Sequence, residues 1–460
     1  MSLSRFLLPL LLLSALGNAN EHPNVILILA DDLAIGDLAS RNGGLSMTPR
    51  LDTLATEGVA FETAYSSSPV CAPARATLLT GRYPHRTGPV SLNQLKEPEL
   101  TQLKREEVTL ADRFHESGYV TGLVGKWHLG LGKPFHPLER GFAEFVGFLN
   151  NTMVDTYFDY RLEHQGEVRT YFNDEYLTDV LNQEAIEFMR RHRDEPFFLH
   201  LAHYAPHRPL SAPEEVVACY LEKGLHSDIA HVYAMNEIMD RGIGELLDEL
   251  EELGLAEKTL IFFASDNGPD SLIESRFNEP HRGTKYMITE GGIRVPLFVR
   301  WKGRISPGSI AETVHFADLV PTLIEICQLE EIPGAPRLDG VSFAELLGLS
   351  KKAFSPPARR FWQWNRSHPR ITHNGAVREG NWKLVKPFVT KNYPKGPSDL
   401  PFRLYDLSTD PGETVDLSGQ YPELQERLSR DFRIWFEEVE RDRTGIEPNA
   451  SRNNPARQRP

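Results

Sequence analysis

The chain alternates between short runs of consecutive apolar residues and longer stretches in which apolar residues recur every three or four positions. A continuous apolar run indicates a strand that is buried on both faces, as in a parallel sheet. Five such runs predict strands over 25–30, 119–125, 196–202, 258–264 and 296–301. Helical spacing predicts helices between them, over 48–60, 107–117 and 227–253. This alternation is typical of an α/β domain whose large, mostly parallel sheet is flanked by helices.

The pattern changes after Leu347. A basic, proline-containing stretch, 351–357, precedes four short alternating segments with turns between them, and a helix is predicted from about 422 to 441. We interpret these segments as a smaller C-terminal antiparallel sheet packed against one terminal helix. The predicted divisions of the chain are 1–19, 20–350, 351–448 and a disordered polar tail, 449–460.

Residues 1–19 have the features of a secretory signal peptide. Arg5 provides a short basic start, 6–16 are apolar, and 17–19 offer a small-x-small cleavage site. The apolar run is too short to span a bilayer, and no cysteine directly follows it for lipid attachment. We therefore expect a periplasmic or secreted protein with no stable membrane anchor.

Charge and cysteine content narrow the class of protein. The 460 residues carry a formal net charge of −14, which argues against nucleic-acid or anionic-membrane partners. A small anionic substrate is still compatible with this net charge, because a local cationic pocket can lie on the surface of an acidic protein. Three cysteines, Cys71, Cys219 and Cys327, are too few for a disulfide scaffold. Cys219 and Cys327 could form one bridge, but we favour two buried free thiols.

Polar residues follow two of the predicted strands. Asp31 and Asp32 come directly after the first strand, and Asp266 and Asn267 come after the fourth. In α/β sheets, functional groups gather at the carboxyl ends of the strands. Three carboxylates and an amide offer the oxygen ligands that Ca²⁺ or Mg²⁺ prefers. Either pair alone would be better explained as a strand-end turn or a helix cap.

The stretch 69–81 contains Cys71-x-Pro73-x-Arg75, followed by a small apolar helical run and a glycine. On the residues alone, Cys71 would be a thiol at a helix N-terminus, where the helix dipole favours the thiolate. The stretch resembles the signature of the type I sulfatases at every position. A second stretch, 118–130, closely resembles the second signature of the same family. The resemblance extends over most of the mature chain.

This resemblance implies an alkaline phosphatase-like fold in which 20–350 is the catalytic domain and 351–448 is a C-terminal subdomain. It also implies that a formylglycine-generating maturation enzyme oxidises Cys71 to Cα-formylglycine, the catalytic residue of the family. One Ca²⁺ is then expected on a set of five residues. These are Asp31, Asp32, the formylglycine made from Cys71, Asp266 and Asn267.

The resemblance further implies roles for five residues around the modified cysteine. Lys126 and Lys285 would neutralise the sulfate oxygens. His207 would protonate the leaving alcohol, and His128 would be the base. Arg75 would hold the hydrated aldehyde, of which one hydroxyl attacks sulfur and the other allows sulfate to be expelled.

The expected substrate is a sulfate monoester, either a small molecule or a glycan, and we favour carbohydrate sulfates. The aromatic-rich stretch 147–172 would either line a sugar-binding cleft or pack in the core, and the sequence supports both interpretations equally. Two rival functions remain. One is a phosphomonoester or phosphonate hydrolase of the same superfamily, and the other is an unmatured sulfated-glycan-binding protein.

Overall fold

The computed structural model describes residues 22–172, 175–271, 278–387 and 400–445. The predicted signal peptide, 1–19, and the predicted tail, 449–460, lie outside the described residues, so both stay predictions. Among the described residues, no helix is both long enough and apolar enough to cross a membrane.

The described residues form 16 strands and 10 α-helices. The strands are β1 (Asn24–Ala30), β2 (Val59–Phe61), β3 (Ala64–Tyr65), β4 (Val120–Lys126), β5 (Glu144–Phe148), β6 (Asp159–His164), β7 (Glu167–Phe172), β8 (Phe197–Ala202), β9 (Thr259–Ser265), β10 (Leu297–Arg300), β11 (Gly308–Ile310), β12 (Val314–His315), β13 (Arg360–Gln363), β14 (Gly375–Glu379), β15 (Trp382–Lys386) and β16 (Arg403–Asp406). The helices are α1 (Pro49–Glu57), α2 (Cys71–Thr80), α3 (Pro84–Thr87), α4 (Leu110–Glu116), α5 (Leu177–Arg191), α6 (Glu214–Glu222), α7 (Ser227–Glu252), α8 (Glu290–Ile293), α9 (Leu319–Cys327) and α10 (Pro422–Thr444).

Ten strands build one large sheet, in the order β11-β2-β10-β9-β1-β8-β4-β5-β6-β7. Its centre, from β9 to β5, is parallel. At the flanks, β10 and the β6–β7 hairpin run antiparallel to their neighbours. The predicted α/β class is confirmed, although the sheet is more mixed than the apolar runs indicated. The strand β10 pairs antiparallel with both of its neighbours, β9 and β2.

The parallel centre separates two apolar layers. Along β1, Ile26 and Ile28 face a core built with α5, α6 and α7. Val25 and Leu27 face a second core built with α2, α4 and α9. Because helices cover both faces of the pleat, every position of this strand is buried, which explains its uninterrupted apolar sequence.

A separate four-stranded sheet, β13-β14-β15-β16, is antiparallel throughout. Trp362 and Ala376 on one face pack against Tyr65 of the larger unit. Val377 on the opposite face packs against Phe432 of α10. The predicted small antiparallel sheet with a terminal helix is confirmed, while the domain boundaries themselves stay predictions.

All three cysteines lie in the described part of the chain and are free thiols. Cys327 is buried, as expected for a small residue on an apolar helix. Cys219 is exposed on α6, so the expectation of two buried thiols is wrong for this residue. The alternative of a Cys219–Cys327 bridge is also excluded in this structure.

Candidate active site

Four strand ends meet at one edge of the parallel centre. Asp31 and Asp32 follow β1, Asp266 follows β9, Lys126 ends β4, and the loop after β8 carries His207. Since these strands run in the same direction, their carboxyl ends lie together although the residues are far apart in sequence. The structure therefore places the predicted strand-end residues in one location.

Cys71 begins α2 and lies against this edge. Its Sγ donates to Asp31 Oδ1 over 3.4 Å. Atoms of Asp31, Asp32, Cys71 and His207 that could bind a metal all lie within 4.8 Å of one another, and all four residues are buried. The motif cysteine is thus brought together with two strand-end carboxylates and one histidine.

The environment of Cys71 changes the chemistry expected of its thiol. Burial raises the pKa of the thiol far above its ordinary value, and the neighbouring Asp31 raises it further. The expectation of a thiolate from the helix dipole alone is wrong here, because desolvation and a nearby carboxylate outweigh the dipole. Unmodified Cys71 is a protonated thiol and therefore a poor nucleophile.

Arg75 lies one turn further along α2 and connects the strand ends. Its Nε donates to Asp266 Oδ2 at 2.9 Å, and its Nη1 donates to the Lys126 carbonyl at 3.1 Å. Its Nη2 lies 3.3 Å from Asp31 Oδ2. Burial opposes the charge, but Asp266 and Asp31 raise the pKa of Arg75. The guanidinium therefore fixes the ends of β1, β4 and β9 against α2.

Lys126 and Lys285 bring two more positive charges into the site. Lys126 Nζ pairs with Asp31 Oδ2. Lys285 Nζ lies 2.7 Å from Asp32 Oδ1 and 2.8 Å from Oδ2. Burial opposes the charge of Lys285, but Asp32 raises its pKa well above the ordinary value. Buried cations of this kind are suited to holding an anionic substrate.

The oxygen atoms of the site fit a hard cation. Asn267 Nδ2 donates to Asp32 Oδ1 at 2.7 Å and to the Gly268 carbonyl at 2.8 Å. Within the described residues, no donor reaches the buried Oδ1 of Asn267. Burial and the charge of Asp31 raise the pKa of Asp266 to about 7, which reflects the cost of crowding carboxylates. A cation would relieve this cost, and Asn267 Oδ1 would be a further ligand.

His128 follows β4 in a conformation that side chains rarely adopt. Its φ is +65°, and Asp32 has a φ of +68°. Such residues persist where the surrounding structure holds them, which is common at functional sites. Burial, and then Lys126, lowers the pKa of His128 well below its ordinary value, so the imidazole is neutral. In the part of the chain that the structure describes, His128 Nδ1 has no hydrogen-bond partner.

The ring of His207 is oriented by its own loop. Nδ1 donates to the Arg208 carbonyl at 2.6 Å, which leaves Nε2 facing the site, 3.8 Å from Asp32 Oδ2. The Tyr204 ring stacks on the imidazole with centroids 4.7 Å apart. Burial, followed by the charge of Lys285, lowers the pKa of His207 to about 3.

Sequence reasoning missed the part that two tyrosines play around His207. Tyr157 donates from its hydroxyl to the His207 carbonyl at 2.9 Å, and its ring stacks on Tyr204 at 5.5 Å. Lys126 Nζ lies 5.2 Å from the centre of the Tyr204 ring. Tyr204 stands three positions before His207, so its place in the loop was a usable signal. Tyr157 offered no signal beyond its membership of an aromatic-rich stretch.

That stretch, 147–172, turns out to be divided. Phe148, Tyr157 and Tyr160 are buried in the larger core, as the packing interpretation required. By contrast, the segment 150–152 lines a cleft next to His128. Three of the aromatic residues thus pack inside and Phe172 is exposed, while Asn150 and Asn151 line the cleft.

Comparisons with known proteins agree with this geometry. The pattern of the family described as Sulfatase matches residues 23–329, and that of N-sulphoglucosamine sulphohydrolase, C-terminal, matches 283–435. The chain is 30% identical to N-acetylgalactosamine-6-sulfatase of Mus musculus, over 92% of this chain and 88% of that protein. It is 28% identical to N-acetylgalactosamine-6-O-sulfatase of Bacteroides thetaiotaomicron, over 90% of this chain and 93% of that protein.

A solved structure extends the agreement to three dimensions. The crystal structure of Ps i-CgsB in complex with k-i-k-neocarrahexaose matches with a TM-score of 0.78 and 28% identity, covering 94% of this chain and 96% of that one. The family match spans both sequence signatures, 69–81 and 118–130, and the strand-end residues around them. The chain therefore belongs to the sulfatase family and is a sulfuric ester hydrolase.

Proposed function

We propose that this enzyme hydrolyses sulfate esters of carbohydrates outside the cytoplasm, using one Ca²⁺ and a formylglycine made from Cys71. The observation that carries the proposal is the grouping of Cys71, Asp31, Asp32 and His207 within 4.8 Å. Carbohydrate specificity is supported by the N-acetylgalactosamine sulfatases among the relatives and by the saccharide in the Ps i-CgsB complex. Export is supported by the signal-like residues 1–19.

Asp31, Asp32, Asp266 and Asn267 would hold the Ca²⁺, with the modified residue 71 as a further ligand. Bound there, the ion would act as a Lewis acid that polarises the sulfate group. The proposal is supported by the oxygen-rich donor set and by Asn267 Oδ1, a buried acceptor for which the described residues provide no donor.

Conversion of Cys71 to formylglycine would provide a hydrated aldehyde with two hydroxyls, one to attack sulfur and one to allow sulfate to leave. The buried, protonated thiol of unmodified Cys71 cannot take this part. Lys126 and Lys285 hold the charged sulfate oxygens and direct the sulfur toward residue 71. Arg75 keeps the surrounding carboxylates in place through its bonds to Asp266 and Asp31.

His207 is the proposed acid. As the bond between sulfur and the alcohol oxygen breaks, negative charge develops on that oxygen, and His207 donates a proton to it through Nε2. The Nδ1 proton is already donated to Arg208, so Nε2 is the nitrogen available for transfer. Burial and Lys285 lower the pKa of His207 in this structure. A bound sulfate ester adds negative charge beside Lys285 and so favours the protonated imidazole.

His128 is the proposed base. Burial and Lys126 hold its pKa low, so its imidazole is neutral and able to accept a proton. It would take the proton of the second hydroxyl of residue 71 as sulfate departs. The two histidines thus have opposite tasks: the surroundings of His128 already favour its neutral state, whereas His207 needs the negative charge of the substrate to become protonated.

The test uses purified enzyme and N-acetylgalactosamine 6-sulfate. We expect sulfate release over many turnovers, and a tryptic peptide around residue 71 that is about 18 Da lighter than encoded. The variant Cys71→Ser has one hydroxyl in place of two, so it should release at most one equivalent of alcohol per enzyme. Full activity from protein with a free thiol at Cys71 would refute the proposed role of this residue.

The same preparation separates the rival functions. Rates on the sulfate and phosphate esters of one alcohol distinguish a sulfatase from a phosphomonoesterase, and we expect the sulfate ester to react faster. Saturable binding of the sulfated sugar without any sulfate release would instead favour the unmatured binding protein.

A further inference from the structure

A cleft of about 260 Å³ opens beside His128. Its walls come from three separate segments, which are 92–95, 150–152 and Arg366 of the C-terminal sheet region. The volume lies just below the range of about 300–1,000 Å³ that is typical of drug-sized ligand sites. The cleft therefore suits one sugar ring better than a longer saccharide.

Gln94 in the first wall has unused hydrogen-bonding capacity. The residue is 5% exposed. Across the described residues, neither Oε1 nor Nε2 of Gln94 has a hydrogen-bond partner. A buried carboxamide without partners is destabilising, and a ligand that meets both of its atoms would remove that cost. Asn151, which also lines the cleft, repeats the feature, because its buried Oδ1 lacks a partner in the described chain.

The loop that carries Gln94 is held in place without using the Gln94 side chain. Ser91 Oγ donates to Glu97 Oε2 at 2.8 Å. The same hydroxyl accepts a hydrogen bond from the backbone N–H of Ser367 at 3.3 Å. Because Ser367 follows Arg366, this bond also ties the third wall of the cleft to the first. The cleft is therefore organised before any ligand enters, which limits the ordering cost of binding.

The chemistry of the carboxamide indicates which ligand group it recognises. A primary amide both donates and accepts, so its full complement is a hydroxyl or a secondary amide. A second sulfate or a carboxylate only accepts and would leave Oε1 of Gln94 unpaired. Since His128 also lines the cleft, the ring that occupies it is the ring that bears the sulfate under attack.

We propose that Gln94 is a specificity-determining residue that hydrogen-bonds a neutral hydroxyl or acetamido substituent of the sulfated sugar ring. This inference rests on the proposed function and names the part of the substrate that the enzyme recognises. It assigns Gln94 to substrate selection and leaves the bond-breaking steps to the residues around position 71.

The test compares Gln94→Met with Gln420→Met, a matched change at an exposed position. Methionine has a similar length but removes both polar atoms. We expect the ratio of kcat/KM on N-acetylgalactosamine 6-sulfate to kcat/KM on nitrophenyl sulfate to fall at least about tenfold in Gln94→Met. The thermal midpoint should not fall, because the change removes a buried polar group that has no partner. Gln420→Met should keep the wild-type ratio.

Two further arms make the outcome decisive. A loss confined to N-acetylgalactosamine 6-sulfate identifies the acetamido group, whereas an equal loss on galactose 6-sulfate identifies a hydroxyl, and both support the proposal. Calorimetric binding of unsulfated N-acetylgalactosamine and galactose should weaken at least tenfold for the recognised sugar. This binding measurement does not depend on maturation of Cys71.

If wild-type protein hydrolyses no sulfate ester, the proposed function fails, while the binding arm still decides the role of Gln94. An unchanged substrate ratio together with unchanged sugar binding would overturn the inference. Equal losses on both sulfate esters, with a lower thermal midpoint, would also overturn it, since they would show that Gln94 supports the fold.

Discussion

The protein contains two clusters of buried charged residues that differ in their surroundings. The active-site cluster consists of Asp31, Asp32, Arg75, Lys126, Asp266 and Lys285. The junction cluster lies where β3 and α8 meet the C-terminal sheet and consists of Tyr65, Glu290, Lys383 and Glu413. No member of either cluster is more than 2% exposed. Burial of charge therefore does not by itself distinguish a catalytic site from a structural one.

In the junction cluster, the charged groups pair with one another, although Glu413 Oε1 makes no hydrogen bond within the described residues. Lys383 Nζ donates to Glu290 Oε1 at 2.7 Å and lies 3.0 Å from Glu413 Oε1. The hydroxyl of Tyr65 donates to the other oxygen of Glu290 at 2.7 Å. Burial alone would raise the pKa of Glu290, but the charge of Lys383 lowers this pKa to about 2. The result is an ionic connection between α8 and the C-terminal sheet.

Beside the active-site cluster, some buried polar atoms lack a hydrogen-bond partner among the described residues. Asn267 Oδ1 and His128 Nδ1 adjoin it, and the described residues offer neither of them a hydrogen-bond partner. His128 also lines a cleft, whereas Tyr65 of the junction cluster packs against Trp362. The contrast between the clusters is therefore one of surroundings: a cleft adjoins the first, whereas the second joins α8 to the C-terminal sheet. Variants of the two clusters should therefore fail in different ways.

The largest effect is expected from Asp266→Asn. Loss of this carboxylate should reduce turnover by at least about 10³-fold, because it weakens both the cation site and the anchoring of Arg75. Calorimetry with Ca²⁺ and with chelator should show a Ca²⁺-dependent rise in the melting temperature of the wild type, since a ligand of the native state stabilises it. The variant should lack this rise, whereas the exposed control Asp248→Asn should retain it. Normal rates and a normal Ca²⁺ response in Asp266→Asn would contradict the proposed difference between the active-site cluster and the junction cluster.

Lys383→Met should give the opposite result. Removing one partner of a buried ionic cluster leaves charge uncompensated, so the free energy of unfolding should fall by about 3–5 kcal/mol. The folded fraction should keep its turnover and its Ca²⁺ response. Lys302→Met, which breaks an exposed pair with Glu251, is the control and should cost less than about 1 kcal/mol. Urea denaturation measures both, and equal stability of Lys383→Met and wild type would show that the junction cluster is dispensable.

The variant His207→Ala tests whether His207 acts as the acid of the active site. An acid matters more when the leaving alcohol is a poor leaving group, so hydrolysis of sugar sulfates should fall about 10²-fold or more. Hydrolysis of nitrophenyl sulfate should fall far less, because nitrophenolate leaves without a proton. Steady-state rates on both esters provide the measurement. Equal losses would mean that His207 serves the site in another way.

The smallest expected effect concerns acid stability at the junction. The pKa of Glu290 is lowered in the folded protein, so its stabilisation is complete above the ordinary carboxyl pKa and is lost as the pH falls toward 2. Burial raises the pKa of Glu413, which offsets part of this loss. We expect Glu290→Gln to reduce the acid-induced loss of stability between pH 5 and 3 by about 1 kcal/mol. Melting curves across this pH range measure the loss of stability. A steeper loss in the variant than in the wild type would show that protonation of Glu290 does not cause it.

Local sequence patterns predicted the architecture well, because strand burial and helix periodicity are local properties. The helix predicted over 227–253 runs from Ser227 to Glu252, and the one predicted over 422–441 runs from Pro422 to Thr444. The direction of β10 was not predictable in this way, because an apolar run does not say which way its strand is paired. The same limit applies to Cys219, whose exposure depends on how α6 packs.

The sequence by itself determined the family, the α/β architecture and the identity of the residues that gather at the strand ends. It could do so because the motifs are contiguous and the carboxyl ends of parallel strands share one edge. Only the tertiary structure decided the protonated state of Cys71, the support of His207 by Tyr157, and the unpartnered amide of Gln94. These properties arise from desolvation and from contacts between residues that are distant along the chain, and no local pattern records them.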